Sequence, residues 1–415
     1  MNDGQRNVPK LVWIIIALIV ATRLAAVVFL PWGQTVECHL EGLNDEPAHF
    51  NYVKYLAQNK AFPVLEHFVL EPDAFTRNEF EYHQAPLYYL LCAPFYSFLG
   101  EKNAIVACRL IASLAGLLTL WVLALLMRDL GCSQQVQFAA VVFAGFLPSH
   151  VYFSSFVSND PLSWLFAVLF TREMIRVIAF ARSSPCPPII GPAIRAAAYL
   201  AAGLLTKSSA AMFFPIPFLV FGWLYLQKRE TRFLWCALLV TAAVAIAAAP
   251  WYARNVMLYH SFSGIPASTV GIPITLPSII GLAKGTVKYF WFPMQHLQGG
   301  TVAFALLTVF GGGILALHAV AAAWWLARSA LQRELTLAIV FILMFFCLVA
   351  VAYAWYYFAW LNPEARFLFP ALGPLCFFMI VPMRDFFCRI HAERLFLPYV
   401  FLIGIFPYPF IYFAG

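Results

Sequence analysis

The chain has 415 residues, 63% of them hydrophobic and only 11% charged, whereas a soluble domain carries roughly 25% charged residues. A water-solvated globule is therefore excluded, and the mean hydropathy of +0.80 points the same way. The net charge of +7 does not imply nucleic acid, because membrane proteins keep their excess Lys and Arg in cytoplasmic loops.

A hydrocarbon core about 30 Å thick takes about 20 apolar residues per helix, and such runs recur from Leu11 almost to the last residue. The expected fold is all-α: a polytopic membrane protein with one membrane domain over residues 1–415 and no soluble appendage. The first run, Leu11 to Trp32, is too long for a signal-peptide core and lacks a small-residue cleavage site. It is expected to be a retained first helix. About eleven spans follow in chain order, near 11–32, 104–127, 135–156, 160–181, 190–206, 208–226, 233–250, 301–326, 335–357, 366–382 and 395–413.

With the N-terminus inside, fifteen of the 26 basic residues fall in short cytoplasmic connections, from Arg6 and Lys10 to Arg384, Arg389 and Arg394. The opposite orientation would violate the positive-inside bias. The C-terminus is then outside, with two long external loops, 33–103 and 251–299. Gln84 to Leu99 is short, broken by Pro86 and Pro94 and rich in Tyr, so it is expected to lie in the interface rather than cross. Pro47 to Asn59, with Phe50, Val53 and Leu56 or Ala57 at helical spacing, is expected to do the same.

This threading sends a set of ionisable residues to the external side. They are Asp45, Glu46, His49 and His83 from the first loop, Asp160 from the next, Lys207 at a hairpin turn, Arg254 from the long loop, and Glu364 with Arg366. Charged groups at membrane depth are costly and mark sites or substrate paths, so a shared cavity is expected. Each also has a plainer reading. Asp45 and Glu46 before Pro47 suit the first turn of an interfacial helix, and Asp160 before Pro161 suits a helix cap. Lys207 can snorkel, Arg254 and Arg366 can meet lipid phosphates, and His83 can be a polar loop residue. The nine cysteines are scattered singly, without zinc or redox spacing.

Carboxylates and cations together at a membrane surface suit transfer of a sugar from a polyprenyl phosphate. The leaving phosphate needs no general acid, so one base for the acceptor and fixed cations for the phosphate suffice. A divalent metal is compatible, since His49, His83, Asp45 and Glu46 offer nitrogen and oxygen ligands, but no tight ligand spacing requires it.

The run Asn44-Asp45-Glu46-Pro47-Ala48-His49-Phe50 with Tyr52, then His83-Gln84-Ala85-Pro86-Leu87-Tyr88-Tyr89, resembles the first-loop Asp-Glu motif and following segment of the GT-C membrane glycosyltransferases. The protein O-mannosyltransferases and aminoarabinose transferases are the nearer groups. Arg109-Leu110, Leu147-Pro148 to Ser158-Asn159-Asp160, Leu205-Thr206-Lys207, Pro250 to Asn255 and Ala365 to Ala371 extend the likeness, in order, over roughly residues 10 to 380. The resemblance implies an inverting transfer from a polyprenyl- or dolichyl-phosphate sugar at the external face of the plasma (inner) membrane, the periplasmic side. It implies Asp45 as catalytic carboxylate, with Glu46 and Asp160 holding the acceptor or the site. It further implies Lys207, Arg254 and Arg366 as partners of the donor phosphate, with His49, His83, Tyr88 and Glu364 as further substrate-site candidates. Those relatives carry more chain after the last motif than this sequence, which ends at Gly415, so the acceptor stays open among glycan, lipid and protein. A transporter or flippase for lipid-linked intermediates is the alternative from another class. Transporters commonly show inverted repeats and midplane sites, whereas here there is no repeat and the charges gather at one face.

Overall fold

The computed structural model describes residues 10–29, 45–66, 79–183, 188–265, 271–291, 302–360 and 362–408. Among them the chain is all helical, with no strand. The expected first and last spans extend at 30–32 and 409–413 beyond the described residues, as do parts of both long loops.

The first helix, α1 (Lys10–Phe29), is apolar but for Lys10, Thr22 and Arg23. After it, α2 (Glu46–Asn59) starts at Asp45 with a proline in its first turn and ends at Lys60, whose φ of 54° and amide bond to the Leu56 carbonyl close the last turn. Next, α3 (Leu87–Asp129) is one element to the eye but two to the backbone. Gly100 at φ 72°, ψ 173° breaks it, a conformation open to glycine alone among common residues. The break separates the aromatic 87–99 segment from the long helix behind it, as the sequence reading expects.

The expected span 135–156 is interrupted. Ser133 caps α4 (Gln134–Phe146) through the Val136 amide, but Leu147 is extended before Pro148, the conformation a following proline imposes. The short helix α5 (Pro148–Phe153) then turns away. Next come α6 (Asp160–Arg182) and α7 (Ile190–Leu204). A 3₁₀ turn, Ser208–Phe213, leads to α8 (Ile216–Lys228), and α9 (Arg232–Tyr259) runs on through Pro250, past the expected end of its span.

Within the second long loop lies a helix that the sequence reading leaves out, α10 (Leu276–Trp291). The chain closes with α11 (Val302–Leu331), α12 (Leu337–Trp360), a 3₁₀ turn over Ala365–Ala371, α13 (Leu372–Arg389) and α14 (Phe396–Ile405). Among the described residues, seven helical stretches are long and apolar enough to cross a membrane by length and composition. Of the other expected spans, 160–181 carries too many charges for that criterion, and the remainder are short or broken. The helix α6 packs along α3 and α7 and is buried over most of its length, so its first residue is delivered to a fixed place at one end of the bundle.

Candidate active site

Asp45 precedes α2, Asp160 opens α6, Lys207 follows α7, and Arg366 lies in the turn before α13. All four sit at helix ends, and the fold brings those ends together. Arg366 is the centre. Its Nη2 lies 3.1 Å and its Nη1 3.4 Å from the Asp45 carboxylate oxygens. Nη1 is also 3.3 Å from Asp160 Oδ2, and Nε is in charge contact with Glu364 at 2.5 Å. The guanidinium lies 5.0 Å from the ring centre of Phe153 and 5.2 Å from that of Phe367. Lys207 Nζ pairs with the other oxygen of Asp160 and stands 5.4 Å over the same Phe367 ring. A buried guanidinium is costly unless its charge and its donors are answered; here three carboxylates share it. The two carboxylates at helix starts gain further from the N-terminal dipole.

Exposure separates the roles. Asp45 and Lys207 keep 13% and 14% of their side chains accessible, whereas Arg366 keeps 6%. A ligand entering the cluster therefore meets Asp45 and Lys207 first.

Behind Asp45, His49 sits one helical turn on, its Nε2 3.5 Å from Asp45 Oδ2 and its Nδ1 2.6 Å from the Tyr89 hydroxyl. Tyr89 stacks on Tyr52 at 4.0 Å. Burial pushes the Asp45 carboxyl up, but the charge of Arg366, with His49, overrides it and holds the group well below the usual carboxylate range. For His49 burial pushes the pKa down, and the charges of Glu81 and Asp45 outweigh it and raise it. Glu364, outside the helices, is pushed up by burial. Ligand atoms of Asp45, His49 and Glu81 lie within 4.8 Å of one another. Glu81 Oε2 is buried and has no hydrogen-bond partner. An orphaned carboxylate oxygen beside an imidazole and a second carboxylate suits a divalent cation taking nitrogen and oxygen ligands.

Glu46, next to Asp45, points the other way. Its two oxygens accept from Arg109 Nε and Nη2 at 2.7 and 2.8 Å, and one also accepts from the Val157 amide at 2.7 Å. Arg109 in turn reaches the Val27 carbonyl at 3.1 Å. Glu46 thus ties α2 to α1, α3 and the segment leading to Asp160. Tyr88 donates to the Cys108 carbonyl within the two halves of α3 and is buried away from the cluster. Its neighbour Tyr89 is the one that reaches in. The His83 Nδ1 bonds to the Phe80 carbonyl, and burial lowers its pKa. Arg254 bonds to the Pro63 carbonyl and lies 4.8 Å over Trp251, with no ion pair to the Arg366 group among the described residues. The structure thus gathers Asp45, His49, Asp160, Lys207, Glu364 and Arg366, and leaves Glu46, His83, Tyr88 and Arg254 around them. Glu81 and Tyr89 join the cluster without having been singled out in the sequence. Helical phase within 87–99 could have found Tyr89, while Glu81 had no periodic signal.

No family model matches the sequence, and no curated protein sequence does. Solved structures do. The oligosaccharyltransferase of Archaeoglobus fulgidus, tethered with an acceptor peptide, superposes with a TM-score of 0.55 at 12% identity, over 98% of this chain and 55% of that one. The chain has the GT-C fold. The oligosaccharyltransferase AglB of the same organism, in complex with an inhibitory peptide and a dolichol-phosphate, gives 0.52 at 14% identity, over 97% of this chain and 55% of that one. ArnT from Cupriavidus metallidurans bound to undecaprenyl phosphate gives 0.43 at 15% identity, over 92% and 80%. The chain spans about half the length of the oligosaccharyltransferases it matches.

Proposed function

We propose that the protein is an inverting glycosyltransferase that moves a sugar from a polyprenyl-phosphate carrier to a glycan, lipid or protein acceptor. The observation that carries this reading is the pair of helix-end carboxylates, Asp45 and Asp160, held on one guanidinium beside an accessible lysine, in a fold shared with an enzyme solved in complex with a dolichol-phosphate. The site is assigned to the outer face of the plasma membrane, with the 33–103 and 251–299 segments on that side, on the strength of the distribution of basic residues.

In the transfer, an acceptor oxygen or nitrogen attacks the anomeric carbon, the bond from that carbon to the carrier phosphate breaks, and Asp45 takes the acceptor proton. A carboxylate held as low as Asp45 is ionised throughout, and it accepts the proton as attack makes the acceptor acidic. The departing phosphomonoester carries more negative charge than the diester, so fixed cations stabilise the transition state more than the donor. Lys207, the accessible cation, meets the phosphate. Arg366 stands behind it and holds Asp45, Asp160 and Glu364 in register. Glu46 positions Asp45 from the far side, and Arg254 belongs to a separate wall.

The cluster holds four acids, Asp45, Glu81, Asp160 and Glu364, against two cations, Lys207 and Arg366. A divalent metal on Asp45, His49 and Glu81 would balance that excess before an anionic donor arrives. Such an ion supplies charge stabilisation to a phosphoryl oxygen.

The test is release of polyprenyl phosphate by the purified protein in nanodiscs, over a panel of polyprenyl-phosphate sugars. Asp45→Asn should lower the rate by about 10² to 10⁴. Lys207→Met should raise the donor KM, and Arg366→Ala should impair release more than Arg366→Lys, because only Arg makes the two-pronged contact. Unchanged release from folded Arg366→Ala would end its assignment. Failure of every donor with the intact protein would favour a transporter of lipid-linked intermediates.

A further inference from the structure

We propose that Arg23 and His150 form a buried positioning pair that fixes how Asp160 and Arg366 meet. The inference rests on the reading of the Arg366 cluster as the site of transfer. Arg23 lies well inside α1, one of the helices able to cross a membrane, and is fully buried. A charge there is expensive and calls for a reason. Among the described residues no carboxylate pairs with it. Instead Nη1 donates to the Gly145 carbonyl at 2.7 Å and to the Ile19 carbonyl at 3.4 Å, and Nη2 lies 2.8 Å from His150 Nδ1.

A guanidinium can only donate, so His150 Nδ1 must be the acceptor. The imidazole is therefore neutral, with its proton on Nε2. Arg23 fixes both the tautomer and the plane of the ring. The helices come close to allow this, since a Cβ on Gly145 would lie 2.6 Å from Ile19 Cδ1. A larger residue there would have to displace the Ile19 side chain.

The ring so held is one side of a three-ring wedge. His150 packs 5.5 Å from Trp164 and, edge-on, 5.8 Å from Phe369. Trp164 and Phe369 meet edge-on at 5.0 Å. Trp164 is one turn after Asp160 in α6, and Phe369 is three residues after Arg366 in its 3₁₀ turn. The wedge therefore joins the first turns of α6 to the 3₁₀ turn of Arg366, the two elements that meet in the 3.3 Å contact between Asp160 and Arg366. A rotated His150 would let the 3₁₀ turn shift against α6, and a misplacement of about 1 Å can cost about a hundredfold in rate.

Two variants and two readouts test this. His150→Phe keeps an aromatic ring but takes the acceptor away from Arg23 Nη2. The double variant Arg23→Met with His150→Phe removes the orphaned charge as well. Amide hydrogen exchange is expected to rise about tenfold at residues 160–166 and 365–371 in both variants, and to stay unchanged over 101–129. Turnover is expected to fall at least about tenfold in both, with the donor KM unchanged. Thermal stability should drop in the single variant and recover in the double. If the double variant regains native exchange and full turnover, the pair merely satisfies a buried charge and the proposal is overturned. Unchanged exchange at 365–371 in His150→Phe overturns it equally. The exchange arm needs no substrate, so a protein that turns over no donor would sink the transfer reading while leaving this one decidable.

Discussion

The sharpest energetic prediction concerns the Glu46–Arg109 pair. Arg109→Met leaves a carboxylate buried with one backbone amide as its remaining donor in place of three bonds, two of them charge-assisted. Both side chains are at most 4% exposed, so water offers little relief. Removing one partner of such a pair costs about 3 to 5 kcal/mol. Glu46→Met takes both carboxylate oxygens away from the guanidinium and should cost a similar amount. Replacing both by Met removes the uncompensated charge, and the double variant should recover most of either loss, a coupling of at least about 2 kcal/mol. Thermal unfolding in detergent, followed by tryptophan fluorescence, measures all four proteins. Additive losses in the double variant would refute the reasoning, because they would mean that the two charges do not answer one another.

A pH dependence follows from His49, which faces Asp45, Glu81, Tyr89 and, more distantly, Lys207. Its pKa is raised, so its stabilising contribution is complete below the unfolded value near 6.5 and is lost as pH rises through the folded value. Asp45 is depressed, so its contribution is complete above about 3.8 and is lost only in strong acid. The melting temperature should therefore fall on the alkaline side of neutrality, and His49→Gln should flatten that fall; an equally steep fall in the variant would contradict the assignment. Mn²⁺ should raise the melting temperature, more at pH 8 than at pH 6, because metal and proton compete for the imidazole. Glu81→Gln with His49→Gln should abolish the effect, and retention of it would move the metal elsewhere. For sidedness, cysteines placed at Lys60 and Gln227, both exposed, should be labelled from opposite sides of the membrane. Labelling from one side would overturn the threading.

Much of the candidate site was legible because its residues sit at interruptions in an otherwise apolar pattern. Asp45, Asp160, Lys207 and Arg366 each stand where a helix begins or ends, and charges in such a chain have few other places to be. Their convergence across 321 residues, from Asp45 to Arg366, was not written in any local pattern. It came through the threading, which sends all four to one face, and through the ordered likeness to GT-C enzymes. What stayed hidden was angular. Tyr88 and Tyr89 are adjacent and chemically alike, and only the phase of α3 decides that the second reaches His49. Glu46 and Asp45 are likewise neighbours that face opposite ways, one toward Arg109 and the other toward Arg366. Arg254 carried the same expectation as Arg366, yet α9 continues through Pro250 and presents it to Trp251 and Pro63 instead. The span boundaries missed for a related reason: Leu147 yields to its proline, whereas the helix around Pro250 does not, and tertiary packing rather than sequence separates the two cases.

Asp160 is shared, one oxygen with Lys207 and the other with Arg366, while Arg366 is itself shared with Asp45. Such an arrangement works as a balance beam. On the proposed reading, an anion that drew Lys207 away would leave Asp160 to the guanidinium alone, and a guanidinium leaning toward Asp160 would loosen its hold on Asp45. What arrives at one carboxylate would then be felt at the other, although the two share no contact of their own.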